Sequence, residues 1–213
     1  MKKKKYIPLT RTLSDCKINS IPYISPCNSK LGDIPSYSLS PHKTCKGNEC
    51  YNKGCYFLKL TKIYNSLLPT LDHNHYILNR YPIEHTIDYI YNYIVYTQAS
   101  YFRWFVGGDI PSQDFYNAMV KLAKRLPSVK FLCFTKQYNK IKFGRIPSNL
   151  SIILSAWVGV PLPKTSQDLP IAYYQNGYEG RVENELHCKG NCSKCYYCFN
   201  LKALGKNIVF NRH

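Results

Sequence analysis

The pattern of apolar positions between residues 101 and 155 predicts a strand, a helix and two further strands. Three compact apolar and aromatic runs have the length of buried strands, at 101–106, 129–135 and 150–155. Between the first two runs, apolar residues recur at helical spacing from Phe115 to Leu126, and Ser112 stands where an N-cap is expected. Strands and helices that alternate over short connections form parallel sheets. The pattern predicts an α/β fold, either an open parallel sheet or a partial barrel of βα units.

Helical spacing also occurs upstream, whereas both ends of the chain lack a sustained period. Apolar residues from Ile83 to Val95 predict a helix that begins after Pro82, and residues 56–68 predict a shorter helix that Pro69 ends. We therefore expect a single domain in three parts: an extended N-terminal segment at 1–44, an α/β core with a cysteine loop at 45–160, and a C-terminal cysteine-cluster segment packed on the core at 161–213.

Seven of the ten cysteines fall into two groups, which predicts metal binding. The C-terminal cysteines have the spacing Cys188-x3-Cys192-x2-Cys195-x2-Cys198. Thiols this close together can wrap around a soft metal ion. Structural zinc sites usually separate two ligand pairs by a longer stretch, so this spacing favours an iron–sulfur cluster, with zinc as the alternative.

The other group is a three-cysteine loop, Cys45-x4-Cys50-x4-Cys55, which we call the Cys45 loop (residues 45–55). Three thiolates leave one coordination position open, and His42 is a candidate fourth ligand. The spacing leaves open whether the two groups bind separate metals or share one. The remaining cysteines are expected to bind no metal: Cys16, Cys27 and Cys133.

Polar residues follow the predicted strands where a parallel sheet binds its ligands. Such sites lie beyond the carboxyl ends of the strands, which we call the rim. The candidate cofactor-binding residues at the rim are Gly107, Gly108, Asp109, Thr135, Lys136 and Ser155, with Trp157 nearby. The glycines would let a ligand approach the backbone, and the carboxylate could bind an amine or a hydroxyl. Arg103 is expected to pair with Asp109 or another acid.

The charge of the chain suggests a polyanionic partner. The formal net charge is +17, and no acid occurs between Asp114 and Asp168. The cations of that stretch are Lys121, Lys124, Arg125, Lys130, Lys136, Lys140, Lys142, Arg145 and Lys164. They form either a solvated basic face or, within residues 121–145, a site for nucleic acid.

Other function classes are excluded or lack a signal. The sequence shows no P-loop, no Ser/His/Asp triad and no paired carboxylates. No apolar run is long enough to span a membrane, and no apolar stretch follows the N-terminal lysines as in a signal peptide. Clustered cysteines outside a secreted context indicate a reducing compartment, so we expect a cytoplasmic protein, in the host cell if it is phage-encoded.

The order of these motifs resembles the phage-associated gene product 88 family, from about residue 27 to the C-terminus. The matching positions are Asn28, Ser29, Lys30, Thr44, Cys45, Cys50, Cys55, Tyr56, Phe102, Arg103, Gly108, Asp109, Pro127, Phe131, Thr135, Lys136, Pro147, Asn149, Leu150, Ser155, Trp157, the C-terminal cysteines and His213. The resemblance implies a phage or mobile-element protein.

A second, weaker similarity is to radical S-adenosylmethionine (SAM) enzymes. These place a three-cysteine loop first, then a Gly-Gly-acid segment after the next strand, then a strand ending in Thr. The similarity implies that Cys45, Cys50 and Cys55 ligate a [4Fe–4S] cluster whose fourth iron binds SAM, and that residues 107–109 hold the methionine amine. The C-terminal cysteines would then ligate an auxiliary or structural cluster. The loop spacing and Asp109 in place of Glu depart from the pattern of that class.

Two functions follow as hypotheses. The first is a metalloprotein with one or two [4Fe–4S] clusters and radical-SAM-like chemistry on an unidentified substrate. The alternative is a zinc-stabilised basic protein that binds nucleic acid without catalysis. The sequence leaves open whether the protein is an enzyme.

Overall fold

The apolar runs pair side by side as parallel strands. The computed structural model describes residues 12–52, 55–156, 161–162, 169–174 and 184–210. Within these ranges, seven strands form one sheet. Every neighbouring pair is parallel. The sheet is open and is not closed into a barrel, which confirms the predicted α/β class.

The strands come from the whole length of the described chain. They are β1 Ser36–Tyr37, β2 Tyr101–Trp104, β3 Lys130–Thr135, β4 Leu150–Ser155, β5 Ile171–Tyr174, β6 Glu185–His187 and β7 Asn207–Phe210. Their order in the sheet is β1-β2-β3-β4-β5-β7-β6. The last strand along the chain, β7, therefore lies between β5 and β6, and the N-terminal β1 extends the sheet beside β2. Both flanking segments therefore contribute strands to the sheet.

Helices connect the strands and cover the sheet. They are α1 Leu13–Asn19, α2 Pro41–Thr44, α3 Glu49–Asn52, α4 Tyr56–Ile63, α5 Leu67–Arg80, α6 Ile83–Thr97, α7 Gln113–Arg125, α8 Cys192–Cys195 and α9 Leu201–Leu204, with a 3-10 turn at Tyr197–Phe199. The Ser112 hydroxyl accepts a hydrogen bond from the backbone N–H of Phe115 at 3.2 Å, which confirms the predicted N-cap of α7.

Two of the predicted boundaries were wrong. The helix predicted for residues 56–68 ends at Ile63, and Pro69 lies in the first turn of α5 instead of ending a helix. Proline is tolerated there because its missing N–H would have no partner in the helix. The strand predicted to reach residue 106 ends at Trp104, since Phe105 takes a left-handed conformation with φ 49°.

The two faces of the sheet bury different parts of the chain. One face carries Phe102, Trp104 and Phe131, and it packs against the apolar sides of α6 and α7. On the opposite face, residues such as Leu132 and Ile153 are covered by segments from both ends of the described chain, including Leu31 and Phe199. Alternating strand side chains explain this division. It also places the C-terminal cysteines on the second face, which we call the inner face.

Asn149 joins α7 to the sheet. Its buried side-chain amide donates hydrogen bonds of 2.9–3.0 Å to the carbonyls of Ala123, Leu126 and Val129. Carbonyls at the end of a helix have no partner within it, so this amide satisfies them in the core. The Pro147-x-Asn149-Leu150 motif therefore has a structural role at the start of β4.

Candidate metal centres

The Cys45 loop is fixed to the rim through Thr44, the residue before its first cysteine. The Thr44 hydroxyl accepts a hydrogen bond of 3.0 Å from the backbone N–H of Asp109. The side-chain amide of Gln137 donates to the Thr44 carbonyl at 2.7 Å. Asp109 follows β2 and Gln137 follows β3, so both bonds hold the start of the loop over the carboxyl ends of these strands.

The Asp109 carboxylate joins the two strand ends to each other. One of its oxygens accepts from the Thr135 hydroxyl at 2.7 Å and from the Ile110 N–H at 2.8 Å. The other accepts from the backbone N–H of Lys136 at 2.8 Å. Asp109 is 4% exposed, and this burial raises its pKa although the hydrogen bonds oppose the shift. The carboxylate thus positions the rim from within, and its direct contact with a cofactor stays a prediction.

The two glycines before Asp109 allow the chain itself to pack closely. A Cβ atom at Gly107 would overlap the ring of Phe57, the second residue of α4. A Cβ atom at Gly108, whose φ is +77°, would overlap the carbonyl of Leu39 and crowd the Thr44 hydroxyl. The sequence interpretation gave this space to a ligand, but it is filled by residues that flank the Cys45 loop. The glycines therefore allow the residues that flank the Cys45 loop to pack closely against the end of β2. Contact of the two glycines with a cofactor stays a prediction.

The three thiols of the Cys45 loop lie near one another. Burial, with the nearby Asp109 carboxylate, raises the pKa of Cys45 to about 12, and the thiols of Cys50 and Cys55 add to this shift. Burial also raises the pKa of Cys50, while the Lys136 ammonium opposes it. These cysteines are free thiols. The loop therefore groups soft donors at the rim, and the raised pKa values keep Cys45 and Cys50 protonated at neutral pH before a metal binds.

The C-terminal cysteines form a second group on the inner face. The backbone N–H of Cys192 donates to the Lys30 carbonyl at 2.9 Å, and the Ser151 hydroxyl donates to the Cys198 carbonyl at 2.8 Å. Tyr196 stacks on Tyr101 of β2 with ring centroids 4.3 Å apart. These contacts hold the turn that carries the thiols against the sheet.

Three of these thiols face a cavity of about 160 Å³, which we call the inner cavity. Cys188, Cys192 and Cys198 line it together with Arg103 and Ser155. Tyr56, which follows Cys55, also lines it, so the inner cavity reaches the end of the Cys45 loop. Ser155, a predicted rim residue and the last residue of β4, therefore lies beside the C-terminal cysteines.

Arg103 was expected to pair with Asp109 or another acid, and among the described residues it forms no such ion pair. Its guanidinium lies over the ring of Phe134, 4.5 Å from the centroid. Its charge lowers the pKa of Cys192 and Cys198, although burial dominates and raises that of Cys198 to about 12. The reason is the strand alternation, which directs Arg103 to the inner face while Asp109 lies beyond the end of β2.

The electrostatic contacts of the thiols with shifted pKa values run within each cysteine group. Each thiol with a shifted pKa is influenced by cysteines of its own group and by none of the other group. In the described ranges, no three His, Cys, Asp or Glu side chains are already placed to hold a metal ion. The donor sets fit a thiophilic metal, and metal binding to such sites is commonly coupled to closure of the loop around the ion.

The remaining predicted residues are placed as follows. The His42 ring bonds the Tyr51 hydroxyl at 2.8 Å. Cys133 is buried in β3, Cys16 is buried and Cys27 is exposed. Trp157, Lys164, His213 and the N-terminal lysines lie outside the described residues. Sequence reasoning missed the roles of Gln137 and Lys30, although Gln137 follows Thr135 and Lys136, and Lys30 is itself one of the matching positions.

The fold and these sites define an open, parallel α/β protein with two grouped sets of free thiols. The chain belongs to the gene product 88 family, whose model matches residues 3–159. The C-terminal cysteines lie beyond that match. No curated protein and no solved structure matches the chain significantly. These comparisons give no support to the similarity to radical SAM enzymes. None of the described helices is long and apolar enough to cross a bilayer.

Proposed function

We propose that the protein is an iron–sulfur protein whose Cys45 loop ligates a [4Fe–4S] cluster at the rim. The observation that carries the proposal is the attachment of this loop to the ends of β2 and β3 through Thr44 and Asp109. Ligands of parallel α/β sheets bind at this edge. The attachment brings three soft donors to the position where the fold binds cofactors or substrates.

Three cysteine ligands would leave one iron of such a cluster open, and we propose SAM as the ligand there. Such a cluster, when bound and reduced, would supply an electron to SAM. The chain's own contribution is to hold the loop in place through Asp109 and Gln137 and to keep the Lys136 ammonium beside Cys50.

The C-terminal cysteines would hold the second cluster. Arg103 and Lys30 both place positive charge near Cys192. Iron–sulfur clusters bound by four thiolates carry net negative charge, so nearby cations stabilise them and raise their reduction potential. The inner cavity, which also borders Tyr56 next to Cys55, would place this cluster on the inner face of the sheet.

We expect the anaerobically reconstituted protein to contain about eight iron and eight sulfide per chain. Iron, sulfide and zinc are measured by elemental and colorimetric analysis, and the reduced protein is examined by electron paramagnetic resonance (EPR). Addition of SAM should change the EPR signal of one cluster. A protein that takes up zinc stoichiometrically and binds no iron would contradict the proposal and favour the zinc alternative.

A second candidate function, binding of nucleic acid, is favoured by a basic groove at the opposite end of the sheet. The basic groove has a volume of about 890 Å³ and is lined by the cations Lys124, Lys130, Arg145 and Lys202. It lies where β3 and β4 begin, and Asp and Glu are absent from its lining, all of which is described. Lys136 and Lys140, in contrast, lie towards the rim. The basic segment 121–145 is therefore divided between the two ends of the sheet.

For this candidate we expect binding of single-stranded and duplex oligonucleotides that weakens steeply with salt. The double variant Lys124→Glu/Lys202→Glu should reduce the slope of log Kobs against log salt by about two or more. Fluorescence anisotropy at several salt concentrations measures this. Lys59→Glu/Lys62→Glu, on the exposed side of α4, is the matched control and should change the slope by less than one. Equal effects of both changes would argue against the groove.

A further inference from the structure

A second cavity lies beside the Cys45 loop and has its own chemistry. It has a volume of about 440 Å³, and we call it the rim cavity. Three lysines line it: Lys43 and Lys46 next to Cys45, and Lys140 from the connection after β3. Its lining, all of it in the described ranges, contains no Asp or Glu. Such an arrangement attracts an anion with more than one charge.

Two buried polar atoms in the lining have no hydrogen-bond partner in the described structure. One is the side-chain carbonyl oxygen of Gln137, a residue only 4% exposed whose amide is already used by Thr44. The other is Nδ1 of His75, a residue whose pKa is lowered by burial and by Lys43. Buried polar groups are nearly always satisfied, so their presence at a cavity indicates a ligand that supplies the partners. A hydroxyl or amine is the group that the Gln137 oxygen requires.

The rest of the lining combines a helix N-terminus with an apolar wall. The start of α7 contributes Ser112 and Gln113, and helix N-termini favour negative charge. The wall consists of Leu78, Ile83, Ile110 and Ile141. An inorganic anion would leave this wall in water, whereas a ligand with a flat ring would cover it.

We propose that the rim cavity binds a nucleoside-monophosphate-like ligand, a phosphate ester that joins a hydroxylated sugar to a ring. The lysines and the start of α7 take the phosphate, Gln137 accepts from a sugar hydroxyl, and the apolar wall packs against the ring. The volume suits a ligand of this size. This site is distinct from the metal ligands, and the inference holds whichever metal the Cys45 loop binds.

Isothermal titration of the anaerobically purified full chain with adenosine monophosphate, inorganic phosphate and adenosine tests the inference. We expect the monophosphate to bind at least tenfold more tightly than either fragment. The variant Lys43→Ala/Lys46→Ala should raise the dissociation constant at least tenfold, because hydrogen bonds to charged groups are lost. Lys140→Ala, from a different segment, should weaken binding in the same direction.

The exposed control pair Lys59→Ala/Lys62→Ala removes the same charge from α4, outside every cavity described above, and should leave the affinity unchanged. Metal content is measured for each variant, so that an effect on the neighbouring Cys45 loop is detected separately. The inference is overturned if the monophosphate binds no more tightly than phosphate. It is equally overturned if both lysine pairs weaken binding alike, because the attraction would then be a general effect of net charge.

Discussion

Replacing Asp109 by alanine should lower the free energy of unfolding by about 4 kcal/mol. The substitution leaves three buried donors without an acceptor: the Thr135 hydroxyl and the backbone N–H groups of Ile110 and Lys136. Each unsatisfied buried donor costs roughly 1–3 kcal/mol, and the three share one site. Chemical denaturation measures the loss, and hydrogen exchange should show lower protection of the backbone from Thr44 to Tyr51.

Two further variants separate the hydrogen bonds from the charge. Asp109→Asn keeps one acceptor oxygen but turns an amide towards the Lys136 N–H, so we expect about half the loss seen with alanine. Asp114→Ala, an exposed acid in the first turn of α7, is the control and should cost no more than about 1 kcal/mol. If Asp109→Ala were as stable as this control, the carboxylate could not be the connection between the two strand ends.

The role of Asp109 shows how far sequence reasoning reaches at the rim. The position of this residue was predictable, because a compact apolar strand followed by glycines marks the end of a parallel strand. Its partners were predictable only as neighbours on the same edge. The bond to Thr44 joins residues that are 65 positions apart, and no local pattern encodes such a contact. The sequence therefore located the site but could not say that the Cys45 loop fills the space over Gly107 and Gly108.

For other parts of the chain, the limits of prediction from sequence have different physical causes. Strands β2, β3 and β4 were predicted because each is a compact apolar run, whereas the short strands β1, β5 and β6 were not predicted. The helix end predicted at Pro69 was wrong because proline is compatible with a first helical turn as well as with a helix end. The pairing of Arg103 with Asp109 was inferred from their closeness in the chain, whereas the side to which a strand residue points decides its neighbours. The basic segment looked continuous for the same reason, since β3 carries its cations to both ends of the sheet.

The arrangement on the two sides of the sheet gives each cysteine group a different environment. The Cys45 loop has a buried carboxylate next to its first thiol and reaches the rim cavity through Lys43 and Lys46. The C-terminal cysteines lie against Arg103 in the much smaller inner cavity. An open cluster that acts on a bound ligand would need the first environment. A cluster that transfers electrons or stabilises the fold would need only the second.

Serine substitutions should therefore remove the two proposed clusters independently. Oxygen is a poor ligand for the iron of these clusters, so Cys45→Ser/Cys50→Ser should lose about four iron per chain and retain the rest. Cys192→Ser/Cys198→Ser should lose the other four. Iron content and EPR measure both, and only the first variant should lose the response of the signal to SAM. The exposed Cys27→Ser is the control and should retain all the iron.

Denaturation of the same variants distinguishes loss of a cluster from loss of the fold. Serine is close in size to the cysteine that it replaces. No described thiol contact joins the strands and helices that carry one cysteine group to those that carry the other. If either double variant lost all its iron while unfolding cooperatively at near wild-type stability, the two groups would have to share one metal. Independent losses instead require two centres, because a single shared metal would be lost in both variants.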